Sequence, residues 1–165
     1  MVDNISKKPY SERSRVEQIE SNWKKTTGLF RRSEYSTVAI RAATTVELAA
    51  NLVIEKEFIE NRNLPVTFVE GLMKWANGFM GKLDRLIVPI YEGTEAEPIL
   101  KEVRKRSKDI NDERNNVVHR GQFKQRATAL RLIQEAEYVV NTLVQIAKED
   151  FKLITPSFED EEDDA

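Results

Sequence analysis

Residues 33–62 read SEYSTVAIRAATTVELAANLVIEKEFIENR, about 30 residues without a proline or a glycine. Between Val38 and Ile54 only Arg41 and Glu47 are charged, and alanine, leucine, valine and isoleucine fill most of the rest. A helix this apolar has to be buried on most of its faces. The stretch is therefore predicted to be the central helix of a bundle. Ser33 is placed to cap its start, and Asn61-Arg62-Asn63-Leu64-Pro65 to stop it.

Helical spacing continues on both sides. Val16, Ile19 and Trp23 recur at helical intervals, which predicts a helix over about 11–30 with Ser11 and Ser14 as caps. Phe68, Leu72, Trp75, Phe79, Leu83 and Leu86 predict another over about 67–90, with Gly71, Gly78 and Gly81 allowing close helix contact. Thr94 with Glu97 looks like a capping box for a helix that ends at Gly121, a residue suited to a helix C-terminus. The last helix is expected over about 123–150. The fold class is all-α, an up-down bundle of four to five helices. Residues 1–10 read as a loose lead, 11–150 as one helical domain, and 151–165 as a tail. That tail holds a short piece with strand-like alternation at 151–154 and an acidic end expected to be disordered.

The 165 residues suffice for one domain with a real core. The chain has no cysteine and one histidine, which excludes disulfides and thiolate sites and disfavours a zinc site. No metal or other cofactor is expected. No apolar run approaches the roughly 20 residues that span a bilayer, and the N-terminus lacks the apolar core of a signal peptide. The expected location is the cytoplasm, with no membrane partner. The net charge of −2 hides an asymmetry: residues 159–164 carry six acidic groups, without which the balance is +4. From Lys101 to Arg131 ten basic residues face four acidic ones. Such a band suits a polyanion or is simply a solvated helix face.

Within that band lies DERNNVVHRG, residues 112–121, with the sole histidine, His119. At 100° per residue, Asn115 falls about 40° from His119, Asn116 about 60° to the other side, and Arg114 about 140° away. Arginine and histidine can meet within one chain only if the helix ends by His119 or if Arg114 reaches round. Two readings stand side by side. In one, the histidine interacts with the terminal carbonyls of its helix and does nothing more. In the other, the pair cleaves RNA. A base takes the proton of a 2′-hydroxyl, that oxygen attacks the neighbouring phosphorus, arginine stabilises the growing charge, and an acid protonates the departing 5′-oxygen. DNA lacks the 2′-hydroxyl. One histidine is one good proton carrier near neutral pH, so the nuclease reading favours a two-fold homodimer that brings two to one cleft.

The segment Glu113-Arg114-Asn115-Asn116-Val117-Val118-His119-Arg120-Gly121 resembles the signature of HEPN domains (higher eukaryotes and prokaryotes nucleotide-binding). In that pattern an arginine, usually followed by asparagine or another polar residue, is separated by four to six residues from a histidine at the end of a late helix, and here the spacing is four. The helical layout extends the similarity over roughly 11–150, and the alanine-rich second helix with its internal glutamate looks like the family's long central helix. The resemblance implies a dimerising all-α domain and, in many members, a metal-independent ribonuclease that acts as a toxin or as a defence or stress effector. It makes Arg114 and His119 the catalytic pair and Asn115 an orienting residue. Partners would be RNA, a second copy, and a cognate antitoxin or regulatory protein. Other members have lost catalysis and bind only nucleic acid, nucleotides or proteins.

Three further readings come from the residues themselves. Thr44, Glu47 and Asn51 form a polar stripe on the apolar helix. Either the stripe faces solvent or Glu47 is buried and paired, with Arg114 or Arg120 as its partner, supporting the motif. Arg104, Lys105, Lys108 and Arg120 are candidates for steering RNA, against the ordinary reading of surface charge. Trp23, Trp75 and Phe79 are expected in the core.

Overall fold

The first helix, α1 (Arg15–Arg31), starts where the Ser14 hydroxyl accepts the Glu17 amide at 3.2 Å. Of the two serines proposed as caps it is Ser14 that serves; Ser11 lies in the short 3₁₀ turn Tyr10–Glu12 ahead of it. The computed structural model, which describes residues 8–158, is all-α, with no strand among the described residues. Residues 8–13, just ahead of α1, are tied to it, and residues 1–7 of the expected lead lie outside the described residues. Arg13 Nε donates to the Lys8 carbonyl, and Asn22 Nδ2 donates to the Tyr10 hydroxyl.

After α1 comes α2 (Tyr35–Ile54), prolonged by a π-helical stretch, Glu55–Asn61. Ser33 is not its cap. It adopts a left-handed conformation, φ 59°, in the turn, and α2 begins after Glu34 without a side-chain cap. The helix packs against α1 and, further along the chain, against α4 (Gly78–Lys82), α5 (Glu97–Arg120) and α6 (Arg126–Ala147). Val38, Ala39, Ala42, Val46, Ala49, Ala50, Val53 and Ile54 are essentially inaccessible to solvent. Alanine at half of those positions lets neighbouring helices approach closely. Contrary to the expectation that no apolar run is long enough, the segment Tyr35–Asn61 is long and apolar enough to cross a membrane, because its few charges and polar residues are spread through a continuous helix; here the surrounding helices cover most of its most apolar stretch.

The π-helical end of α2 gathers polar contacts around Glu57. Asn61 Nδ2 and Arg62 Nε each donate to its carboxylate at 3.0 Å, and Tyr91 Oη donates at 3.4 Å. The Asn61 hydrogen bond, reinforced by Arg62, holds the Glu57 carboxyl below its ordinary value of 4.5 against the opposing effect of burial. Burial, with the Glu57 charge beside it, pushes the Tyr91 hydroxyl up to about 12. A carboxyl depressed in the folded state stabilises fully above its unfolded pKa, and the contribution fades as pH falls through the folded value. Glu57→Gln is therefore expected to lower the denaturation midpoint at neutral pH and to cost progressively less as acid is added below about pH 4.5. Equal losses at neutral pH and at pH 3 would show that the ionised form is not what stabilises.

The helix expected over about 67–90 is two helices. Chain direction breaks between α3 (Val66–Ala76) and α4, which runs on through a π-helical stretch, Leu83–Ile87, to Val88–Ile90. Asn77 stands at φ 57°, ψ 92° and Gly78 at φ 76°. Asparagine and glycine tolerate positive φ better than other residues, and their side-by-side placement lets the chain turn here. Inside the new corner the Ala76 carbonyl sits against Gly81 so closely that a Cβ on Gly81 would lie 1.6 Å from its oxygen. The break also changes which aromatics are covered. Trp23 and Phe79 are buried, but Trp75, assigned to the core from its spacing, is 61% exposed, with Arg85 over its ring; Phe68 is exposed as well.

Helix α5 starts at Glu97 rather than Thr94. Thr94 Oγ1 donates to the Tyr91 carbonyl and accepts the Ala96 amide, while Glu97 reaches back to the Gly93 amide, so both side chains serve the preceding turn. At its other end Gly121 caps the helix in the left-handed region, φ 62°, and the amides of Gly121 and Gln122 both donate to the Asn116 carbonyl. Residues 151–158, grouped with the tail from composition, lie on the body as an extended strap without strand pairing. Phe151, Leu153 and Phe158 are buried; Trp23 Nε1 donates to Thr155 Oγ1 at 3.1 Å, and the Leu153 amide to Asn141 Oδ1 at 2.8 Å. The acidic residues 159–164 lie outside the described residues.

Candidate functional site

The end of α5 carries the motif, and the helix is regular through Arg120. That settles how its side chains are distributed. Lys101, Lys105, Lys108, Asp112, Asn115 and His119 follow one another along the outward face. Leu100, Val103, Ser107 and Ile110 are fully buried on the opposite side, and Val117 packs against the core. Arg114 falls on the inner side of the helix, half-buried, and its Nη1 donates to Asn115 Oδ1 at 3.0 Å. His119 is exposed in the last turn. It borders an open groove of about 500 Å³ together with Asp112, Asn115, Asn116 and Arg120. Arg114 is not among the side chains lining that groove. The option that the helix ends before His119 and lets the two groups meet is therefore not taken. Within one chain, the imidazole faces out and the guanidinium is held by the asparagine between the two faces.

Glu47 is placed elsewhere. Its carboxylate accepts a hydrogen bond from Lys82 Nζ at 2.8 Å, with Lys82 itself only 7% exposed. Neither Arg114 nor Arg120 is its partner, so it does not support the motif by a direct contact. Arg41, on the same helix, donates to Asn22 Oδ1 at 3.3 Å.

The basic band is mostly neutralised by its own fold. Arg104 makes a two-pronged pair with Asp84 on the Leu83–Ile87 stretch, at 2.6 and 3.1 Å. Lys108 pairs with Asp112, Lys101 with Glu97, and Arg106 with Glu102 and Glu135. Lys124 and Arg131 share Glu113, and Arg131 also meets Asp109. Of the ten cations counted from Lys101 to Arg131, those without a carboxylate partner among the described residues are Lys105, Arg114, Arg120 and Arg126. Only Arg120 of the four RNA-steering candidates borders the His119 groove.

Two features went unread in the sequence. Phe123, in the loop after Gly121, is 94% exposed. The second is the groove that contains Glu47, which also takes in Asn51, Lys74 and Lys82. The Asn77-Gly78 pair inside a helical pattern is a recognised breaker signal and could have pointed to the corner that opens it. No family profile, curated protein or solved structure matches the chain.

Proposed function

We propose that this chain is a HEPN-like, metal-independent endoribonuclease whose working site is completed by a second copy. The observation that carries the reading is the environment of His119. It is an exposed imidazole without a hydrogen-bond partner among the described residues, at the end of a helix, on a groove shared with Asn115, Asn116 and Arg120. Imidazole is suited to take the 2′-hydroxyl proton or to protonate the leaving oxygen. Arg120 offers a guanidinium without a carboxylate partner among the described residues for a phosphate oxygen. Arg114, which resemblance assigns to catalysis, would act across the dimer, oriented by Asn115. Phe123 offers a ring on which an unpaired base can stack, which suits single-stranded RNA. A toxin or defence role in the cytoplasm, with an antitoxin or regulatory partner, is the setting that goes with this chemistry.

A second reading, a non-catalytic module that binds RNA or a protein, draws on one observation: the arginine and the histidine of a single chain stand on different sides of α5. The two readings separate in one assay. Purified protein is incubated with mixed RNA in EDTA, beside His119→Ala and Arg114→Ala. Cleavage lost in both variants supports the nuclease. RNA binding that survives both substitutions, with no cleavage by any of the three proteins, supports the module. Equal cleavage by wild type and both variants removes the nuclease reading.

A further inference from the structure

We infer that the groove between α2 and the α3–α4 corner binds a small zwitterion of amino-acid size. The groove holds about 590 Å³, within the range of roughly 300–1,000 Å³ usual for small-molecule sites. Its charged groups are of both signs, Glu47 and Glu70 against Lys74 and Lys82. Glu47 and Asn51 stand one turn apart on α2, Glu70 and Lys74 one turn apart on α3, and Lys82 rises from α4.

These groups leave hydrogen-bonding capacity unused. The Lys82 ammonium has three donors, and the single acceptor it finds is Glu47. Burying a cation this deeply is costly unless its donors are met. At the rim, Glu70 and Lys74 are exposed and make no ion pair among the described residues, although i,i+4 spacing would allow one. A pure anion would meet Glu47 and Glu70; a pure cation would meet Lys74 and Lys82. A ligand with a carboxylate for the two lysines and an ammonium for Glu70 and the free side of the Glu47 carboxylate meets all four charges. Met73, which also lines the groove, leaves room for an aliphatic side chain.

The backbone gives a second reason to treat the groove as built. Asn77 occupies a sparsely populated conformation, and such strain persists where the surrounding structure holds it and gathers at ligand sites. Nothing in this inference rests on the nuclease reading, because this groove and that of His119 share no residue.

The test is calorimetric titration and thermal shift of the full chain with each standard amino acid, and with acetate and methylammonium as single-charge controls. One or more amino acids should bind saturably at micromolar to millimolar concentration and raise the thermal midpoint, with the two controls silent. Lys74→Glu reverses an exposed rim charge and should leave the free protein's midpoint unchanged while weakening binding about tenfold or more. Glu70→Lys, at the same exposed rim, should weaken it similarly. If that variant does not fold, Lys74→Glu decides alone. The inference is overturned by a panel in which no amino acid binds, by controls that bind as well as the amino acids, or by undiminished binding in Lys74→Glu.

Discussion

Alanine at position 119 is expected to reduce RNA cleavage by about 10²–10⁴-fold, the usual contribution of a positioned acid or base. The thermal midpoint should not move, because the imidazole is exposed and holds nothing in place. Arg114→Ala should reduce cleavage comparably, by removing the charge that meets the phosphate. The geometry of α5 makes a sharper demand. With His119 and Arg114 about 140° apart on a straight helix and Arg114 held by Asn115, the proposed site takes them from different copies. Mixing the two inactive variants then generates mixed dimers in which one of the two sites has both groups intact. At random assortment, activity should return to roughly a quarter of wild type. A mixture no more active than its components would remove sites built from one histidine and one arginine, and leave only a shared cleft that needs both imidazoles.

Gly81→Ala is the substitution expected to cost most in stability. A methyl group at Gly81 would be driven to 1.6 Å from the Ala76 carbonyl oxygen. Because the obstacle is backbone, no rotamer change relieves it, and α3 and α4 would have to separate. Overpacking of this kind costs about 3 kcal/mol or more, which at this chain length lowers the melting temperature by about 6–12 °C. Gly71→Ala is the control, since a Cβ there meets nothing within 4 Å and alanine favours helix. A Gly81→Ala midpoint equal to that of Gly71→Ala would show that the corner yields freely.

The all-α class was legible because helix signals are local. The alanine-rich run of α2 announces a buried helix within its own 20 residues, and Gly121 announces the end of α5 one residue from where it falls. What escaped depends on partners distant in the chain. Glu47 finds its cation 35 positions away in Lys82, and no pattern in α2 ranks Lys82 above Arg114 or Arg120. The basic band looks free when counted along α5, yet Asp84 and Glu135 arrive from other helices to neutralise Arg104 and Arg106. Trp75 keeps perfect helical spacing with Phe68 and Leu72 and is still exposed, because the α3–α4 corner turns that face of α3 outward. Around the motif, spacing did decide the geometry: once α5 stays regular, the opposed placement of Arg114 and His119 follows from 100° per residue.

The contrast between the two tryptophans gives the protein a pair of intrinsic optical reporters. The indole of Trp23 is sealed beneath the strap through Thr155, so its emission should be blue-shifted and insensitive to iodide until that strap detaches. The indole of Trp75 stands in water on the same helix as Glu70 and Lys74. It should emit further to the red, account for nearly all quenching in the native state, and register whatever comes to rest on α3.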